Sequence, residues 1–143
     1  MELSYRRARV LELPQILAQS FDNVNRYEDF SRVSRADALA TVRRRVQKQI
    51  LNYTVAEMDG QVVGCYYLHA AGGRLELEDF YVFDAYRGRG IGSQMLRDCV
   101  AKADDALWLR VFAGNVRAVG FYVRMGFHIR SEASEGMLWM QCV

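Results

Sequence analysis

Apolar positions along the chain change their period several times, and each change marks an element. Residues 3–10 read as a short first strand. Leu13, Ile16, Leu17 and Phe21 then recur at helical spacing, with Pro14 tolerated in the first turn. The stretch 22–32 is polar and is predicted to be irregular. Ser34 with Asp37 three residues on has the form of a helix cap, opening a second helix with the buried stripe Leu39, Val42, Val46 and Ile50. The period then falls to two. Segments 53–58 and 61–69 flank Asp59-Gly60, a pair suited to a tight hairpin turn, and Gly72-Gly73 turns the chain into a further strand over 74–83. In that strand Leu75 and Leu77 alternate with Glu76 and Glu78, so the two glutamates share one face.

The helical period returns over 91–103, where Ile91, Met95, Leu96, Cys99, Val100 and Ala103 form one stripe. Residues 106–112 read as the next strand, and a strand, crossover helix and strand imply parallel pairing. Asn115 caps a last helix that Gly126 ends, and 127–130 and 136–142 supply two closing strands. The order is a helix pair, a hairpin meander and a single βαβ unit. This predicts an α+β fold: a mixed, twisted sheet of six or seven strands with about four helices.

Composition narrows the function classes. With 143 residues, one proline and no Ser- or Gly-rich tract, a single domain spanning 1–143 is expected. Nineteen basic and 17 acidic side chains leave a formal charge of +2, too little for a nucleic-acid footprint. The one basic run, Arg43-Arg44-Arg45, lies in a helical pattern and reads as a solvated face. Cys65, Cys99 and Cys142 are dispersed, and with only His69 and His128 beside them no zinc or other metal site is expected. No apolar run reaches the ~20 residues needed to cross a bilayer, and the first residues carry no apolar leader. A cytoplasmic protein with reduced thiols, bound neither to membrane nor to nucleic acid, is the expectation.

The most informative stretch is Tyr81-Val82-Phe83-Asp84-Ala85-Tyr86-Arg87-Gly88-Arg89-Gly90-Ile91-Gly92-Ser93, a strand running through three alternating glycines into a helix. Glycines let successive N–H groups converge on an anion, and a helix start adds unpaired donors and a positive dipole end. Arg87 and Arg89 add charge suited to phosphate. A Walker loop is excluded, because Gly92 is followed by Ser93-Gln94 and not by a lysine and a hydroxyl residue. A dinucleotide fingerprint would need glycine where Ser93 stands, which disfavours a nucleotide-dependent enzyme.

The segment resembles the acyl-CoA loop of the GCN5-related N-acetyltransferases (GNAT), [RQ]-x-x-G-x-[GA], matched by Arg87, Gly90 and Gly92. Asp84 stands where that family often has proline. The stretch Asn115 to Phe127 is similar to its N-x-x-A-x-x-x-Y-x-x-x-G-F segment through Asn115, Ala118, Tyr122, Gly126 and Phe127. Asn115 and Tyr122 fall two helical turns apart on one face. The resemblance implies a GNAT-type fold, acetyl-CoA as donor, and coenzyme A pyrophosphate on the amides of Gly88, Arg89, Gly90, Ile91, Gly92 and Ser93. It also implies that the pantetheine arm lies along the strand at Tyr81 and Val82, that Asn115 contacts the arm, and that Tyr122 protonates the departing thiolate.

An amine attacks a thioester only as the free base, so its proton needs a receiver. Glu78 is the first candidate and Glu76 the second, directly or through water; a solvated strand face is the plain alternative for both. Glu28, Asp29, Glu78 and Asp79 are expected to form an acidic pocket for a small-molecule or peptide amine. Glu78-Asp79-Phe80-Tyr81-Val82, with Ser134-Glu135-Gly136, is similar to the diamine (spermidine/spermine) acetyltransferase branch. The family's habit of dimerising makes a homodimer an expectation. The competing class is a non-catalytic acyl-CoA-binding module, against which Tyr122 argues.

Overall fold

The computed structural model describes residues 2–134 and 136–143. Eleven elements follow in order: β1 (Ser4–Arg7), α1 (Leu13–Tyr27), α2 (Arg35–Gln49), β2 (Thr54–Met58), β3 (Gln61–Ala71), β4 (Arg74–Val82), α3 (Ile91–Val100), β5 (Leu107–Phe112), α4 (Val116–Arg124), β6 (His128–Glu132) and β7 (Met137–Cys142), with short 3-10 turns between some of them. The strands form one seven-stranded sheet, β1-β2-β3-β4-β5-β7-β6. Neighbours are antiparallel except β4 and β5, which pair in parallel as the crossover through α3 requires. The mixed α/β architecture and the strand and helix numbers are those expected from the sequence.

Local chemistry explains most boundaries. Asp59 and Gly60 both take positive φ (53° and 77°), giving the two-residue hairpin turn between β2 and β3. The Ser34 side chain accepts the Asp37 N–H and starts α2. Asn115 does the same for Ala118 at α4. Three boundaries depart from expectation by three residues or more. β1 stops at Arg7, because Val10–Glu12 form a 3-10 turn in which the Glu12 carboxylate accepts the Arg9 N–H at 2.8 Å. The helix at 91 ends at Val100, not 103. Finally, α1 runs through to Tyr27 where an irregular segment was expected. The buried Val24 and an Asp22–Arg26 pair one turn apart (2.9 Å) carry it on.

Each face of the sheet has its own core. On one face α3 and α4 pack Ile91, Met95, Leu96, Cys99 and Tyr122 against Leu77, Leu107, Leu109 and Met140. On the other, α1 and α2 pack Ile16, Leu17, Val42 and Val46 against Val55, Tyr53 and Cys65. Burial raises the Cys65 thiol well above its ordinary range and pushes Cys99 up to about 12, so both are inert packing groups. Among the described residues, no helix is long and apolar enough to cross a membrane.

Candidate functional site

β4 and β5 begin side by side and then part. Their rungs join Leu75–Leu77 to Leu107–Leu109, and no rung joins the later residues. The cause lies in β4, where Asp79 and Phe80 together face Tyr66, between the rungs Tyr67–Glu78 and Cys65–Tyr81. Asp79 sits at φ 48°. Such a bulge bends the strand and ends pairing on its far side. A cleft of about 730 Å³ opens there, running between the sheet, the glycine loop, α4 and the α1–α2 pair. A parallel strand pair that separates leaves backbone donors and acceptors with no ladder partner, available to an extended ligand.

One half of the cleft gathers unpaired backbone donors. Gly88 and Gly90 both hold positive φ (77° and 79°), and Gly90 caps α3. The first intrahelical bond runs from Gln94 N to Gly90 O at 3.2 Å, which leaves the N–H groups of Ile91, Gly92 and Ser93 free of the helix ladder. Gly88, Gly90, Ile91, Gly92 and Ser93 all line the cleft, as do Tyr81, Val82, Asn115 and Tyr122. Arg87 lines it too but braces the loop, its Nε donating to Val82 O at 3.1 Å and its Nη2 lying 3.2 Å from Asp84. Arg89 is not part of the lining; its guanidinium lies over the Tyr86 ring at 5.7 Å. The additional cations here are Arg117 and Arg124, which sequence reading passed over. They stand seven positions apart, two helical turns along one face of α4, and that spacing was the available signal.

Tyr122 is only 9% exposed, ringed by Phe80, Phe121 and Phe127 at 5.4–6.4 Å between centroids. Burial, with a smaller effect of Cys99, raises its phenol above the ordinary range, so it keeps its proton at neutral pH. Ala118 lines the cleft between Asn115 and Tyr122, where its small side chain leaves room for a ligand along α4.

The other half carries carboxylates, and the structure pairs them with arginines. Glu78 lines the cleft; Glu76 lies behind it, 5% exposed. Arg110 bridges them, its Nη2 donating to Glu78 at 2.8 Å and its Nε to Glu76 at 3.1 Å. Burial raises the Glu76 carboxyl above the usual carboxylate range; Arg110 opposes this and the Glu78 charge adds to it. Asp79 is held fast: it accepts two bonds from Arg45 Nη2 (2.9 and 3.0 Å), one from the Tyr81 hydroxyl (3.0 Å) and one from the Tyr53 hydroxyl. Burial works against the Arg45 charge, but Asp79, Tyr53 and Glu78 more than offset it.

The acidic pocket therefore differs from the one expected. Asp79 is a buried anchor, not a free ligand group. Asp29 is absent from the lining, its carboxylate accepting from the Ser31 N–H and hydroxyl (3.0 and 2.6 Å) and pairing with Arg32 at 3.3 Å. Glu28 does line the cleft, at the end of α1. Arg45, expected on a solvated face with Arg43 and Arg44, instead lines the cleft and binds Asp79. Arg110 was missed by sequence reading. So was a cluster in which His69, Glu76 and Glu78 bring ligand atoms within 4.8 Å of one another, although no metal-ligand spacing is visible in the sequence. The same two carboxylates are bound by Arg110. Ser134-Glu135-Gly136 falls in part outside the described residues.

The profile of the Acetyltransferase (GNAT) family matches residues 15–127. A spermine/spermidine N(1)-acetyltransferase of Bacillus subtilis is 29% identical over 65 residues, 42% of this chain and 43% of that protein. The chain thus matches less than half the length of that relative. An acetyltransferase of the GNAT family from Streptococcus agalactiae superposes with a TM-score of 0.77 at 14% identity, covering 99% of this chain and 95% of the other. The PaiA N-acetyltransferase of Thermoplasma acidophilum, in complex with coenzyme A, gives 0.72 at 16% identity and covers 99% of both chains. At such identities the structural likeness speaks for the fold alone. The family profile covers most of the sequence, and on that ground the protein belongs to the acetyltransferase (GNAT) family.

Proposed function

We propose that the protein transfers an acetyl group from acetyl-CoA to a primary amine of a small molecule or peptide by direct attack. The observation that carries this reading is one continuous cleft with free helix-start amides and arginines in one half, and Tyr122 and Glu78 further along its lining. Arg87, itself paired with Asp84, lines the donor half with Arg117 and Arg124, a set of guanidiniums that suits a polyphosphate chain. The Thermoplasma neighbour, of the same fold, is in complex with coenzyme A.

In the reaction the amine nitrogen forms a bond to the thioester carbonyl carbon and the C–S bond breaks. The sulfur leaves with the electron pair and takes a proton from the Tyr122 hydroxyl, which regains one, directly or through water, from the nitrogen that has become the amide. The same burial that keeps this phenol protonated also disfavours a bare thiolate beside it. The ammonium proton, held in water with a pKa near ~10.4, passes to Glu78 directly or through water. Glu76 acts behind it, sharing Arg110 and so fixing the Glu78 carboxylate. Backbone N–H groups at the open edge of β4 near Val82 polarise the carbonyl. Asn115 lies along the path of the pantetheine arm. Glu28 is the acid nearest in role to an acceptor-binding group, and Asp79 supports it by holding Arg45.

Thiol release from acetyl-CoA with a panel of amines tests the proposal, together with calorimetry for coenzyme A. Transfer with at least one amine, and its loss by about 10²-fold or more in Glu78→Gln, is the expected result. Tight coenzyme A binding with no thiol release for any amine would instead mean an acyl-CoA-binding module. No affinity for coenzyme A would remove both readings.

A further inference from the structure

We infer that His69 carries the acceptor's proton from Glu78 to solvent, so that the base is emptied while the cleft is still filled. The inference rests on the acetyltransferase reading above, with Glu78 as its base, and adds the step that returns Glu78 to its charged form. It starts from register. His69 on β3 stands opposite Glu76 on β4, and Tyr67 stands opposite Glu78. Side chains two apart on a strand share a face, so the ring and both carboxylates meet on one side of the sheet. One nitrogen or oxygen from each of the three lies within 4.8 Å of the others.

The two oxygens of Glu78 have different neighbours. Oε1 accepts from Arg110 Nη2 at 2.8 Å. Oε2 faces His69 Nε2 at 3.6 Å and Arg45 Nε at 3.8 Å. Both nitrogens are buried, and neither makes a hydrogen bond among the described residues. These distances exceed a hydrogen bond by a few tenths of an ångström, a gap of the kind that closes in a working complex. Arg45 cannot take the proton, since a guanidinium has no acceptor site, but a neutral imidazole has one. Glu76 leads nowhere: it is buried behind the cleft and bound to the same Arg110. The His69 side chain is 23% exposed yet absent from the cleft lining, so its open side faces away from the bound ligands. The ring stacks on Tyr67 at 4.5 Å, and Tyr67 on Tyr53 at 4.8 Å, which fixes its plane.

The O–H bond on Glu78 Oε2 breaks and leaves its electron pair on the carboxylate. The lone pair of Nε2 takes the proton, and the resulting imidazolium gives one proton to water on its open side. In water an imidazole (~6.5) is more basic than a carboxylate (~4.3), so the proton runs downhill in this direction. The charges facing the ring are Glu76 and Glu78 of β4. Behind them stand Arg110 of β5 and Arg45 of α2, the latter paired with Asp79. Burial, and then the Glu78 charge, raise the phenol of Tyr67, which stays neutral.

Two variants separate the proton from the packing. His69→Gln keeps a polar side chain that does not titrate, and His69→Phe keeps a ring to stack on Tyr67 with no nitrogen. Thiol release from acetyl-CoA is followed with whichever amine of the panel the wild-type protein turns over fastest. Both variants should lose about tenfold or more in kcat, and imidazole added to the buffer should restore at least about threefold of it while leaving wild type unchanged. In wild type kcat should fall on the acid side, where a ring already protonated cannot take a second proton, and both variants should lose that inflection. Thermal melting and calorimetry for coenzyme A show that each variant is folded and binds donor. A folded variant with kcat within about threefold of wild type overturns the relay, and so does a loss that imidazole does not relieve; either leaves the acetyltransferase standing. No thiol release from wild type with any amine overturns the acetyltransferase and the relay together.

Discussion

Replacing Gly88 by alanine isolates the conformational cost of the anion loop. Gly88 holds φ 77°, and a Cβ built there meets nothing within 4 Å, so crowding plays no part. An L-residue held in the left-handed region costs about 1–2 kcal/mol. That energy has two places to appear. If the loop keeps its shape, the loss falls on folding, and urea denaturation shows a stability lower by about 1–2 kcal/mol with coenzyme A affinity unchanged. If the loop relaxes to negative φ, stability is retained and the amides no longer converge. Coenzyme A affinity by calorimetry then falls by about 5–30-fold, the same energy expressed as binding. The two losses should together make up that 1–2 kcal/mol, and Gly88→Asn should lose less, since asparagine tolerates this region. A Gly88→Ala protein with neither loss, or an asparagine variant worse than the alanine one, would refute the assignment of this loop as a strained cradle.

Other perturbations test separate parts of the structure. At Gly64 a Cβ would come 2.5 Å from Tyr81 O and 2.9 Å from Met95 Sδ, so Gly64→Ala should cost at least about 1–3 kcal/mol, read as a lower melting temperature; an unchanged melting point would contradict the packing described. Tyr122→Phe should lower kcat by about 10²-fold while leaving coenzyme A affinity intact, and a normal kcat would end its role as the acid. Glu12 is bound by Arg6 at 2.9 Å and by the Arg9 N–H, and its carboxyl is held below the usual range chiefly by Arg6. Its contribution is therefore complete above the unfolded value near ~4.3 and is lost as pH falls through the lower folded value. Glu12→Gln should cost about 1.5–3 kcal/mol at pH 7, and urea titrations should show this gap closing below about pH 4; a gap that stays constant to pH 3 would be the wrong sign of linkage.

Periodicity made most elements readable because most helices and strands have one buried face, and the buried stripes of α1, α2 and α3 needed nothing beyond spacing. The glycine loop and the Asn115–Tyr122 segment were readable as turn, helix start and helix because their signals are local in sequence, and the fold brings both to one cleft. What the sequence hid was pairing between distant elements. Arg43, Arg44 and Arg45 look alike as a run, yet successive helix positions point about 100° apart. Arg43 lies over Phe21 at 5.2 Å, Arg44 reaches Thr41 at 3.4 Å, and Arg45 is half-buried against Asp79. Arg110 was hidden for the same reason: Glu76 and Glu78 read as free acids until β5 is laid beside β4 in register. The end of α1 was missed because Asp22 to Tyr27 is mostly polar, while the Asp22–Arg26 pair, the buried Val24 and the Tyr27–Phe112 ring contact support it as helix.

The bulge in β4 has one more consequence, visible in odd and even numbers. The side of β4 that meets α3 takes Leu75 and Leu77, then Phe80 and Val82. One surplus residue therefore separates an odd series from an even one. Without Asp79 the remaining chain would alternate without interruption, and each apolar group would keep its side. Such a chain loses the anchor for Arg45 but gains an unbroken β4, able to zip against β5 along its length. The fold has no need of this miscount. A single residue of excess length marks where a strand stops serving the sheet and starts serving a guest.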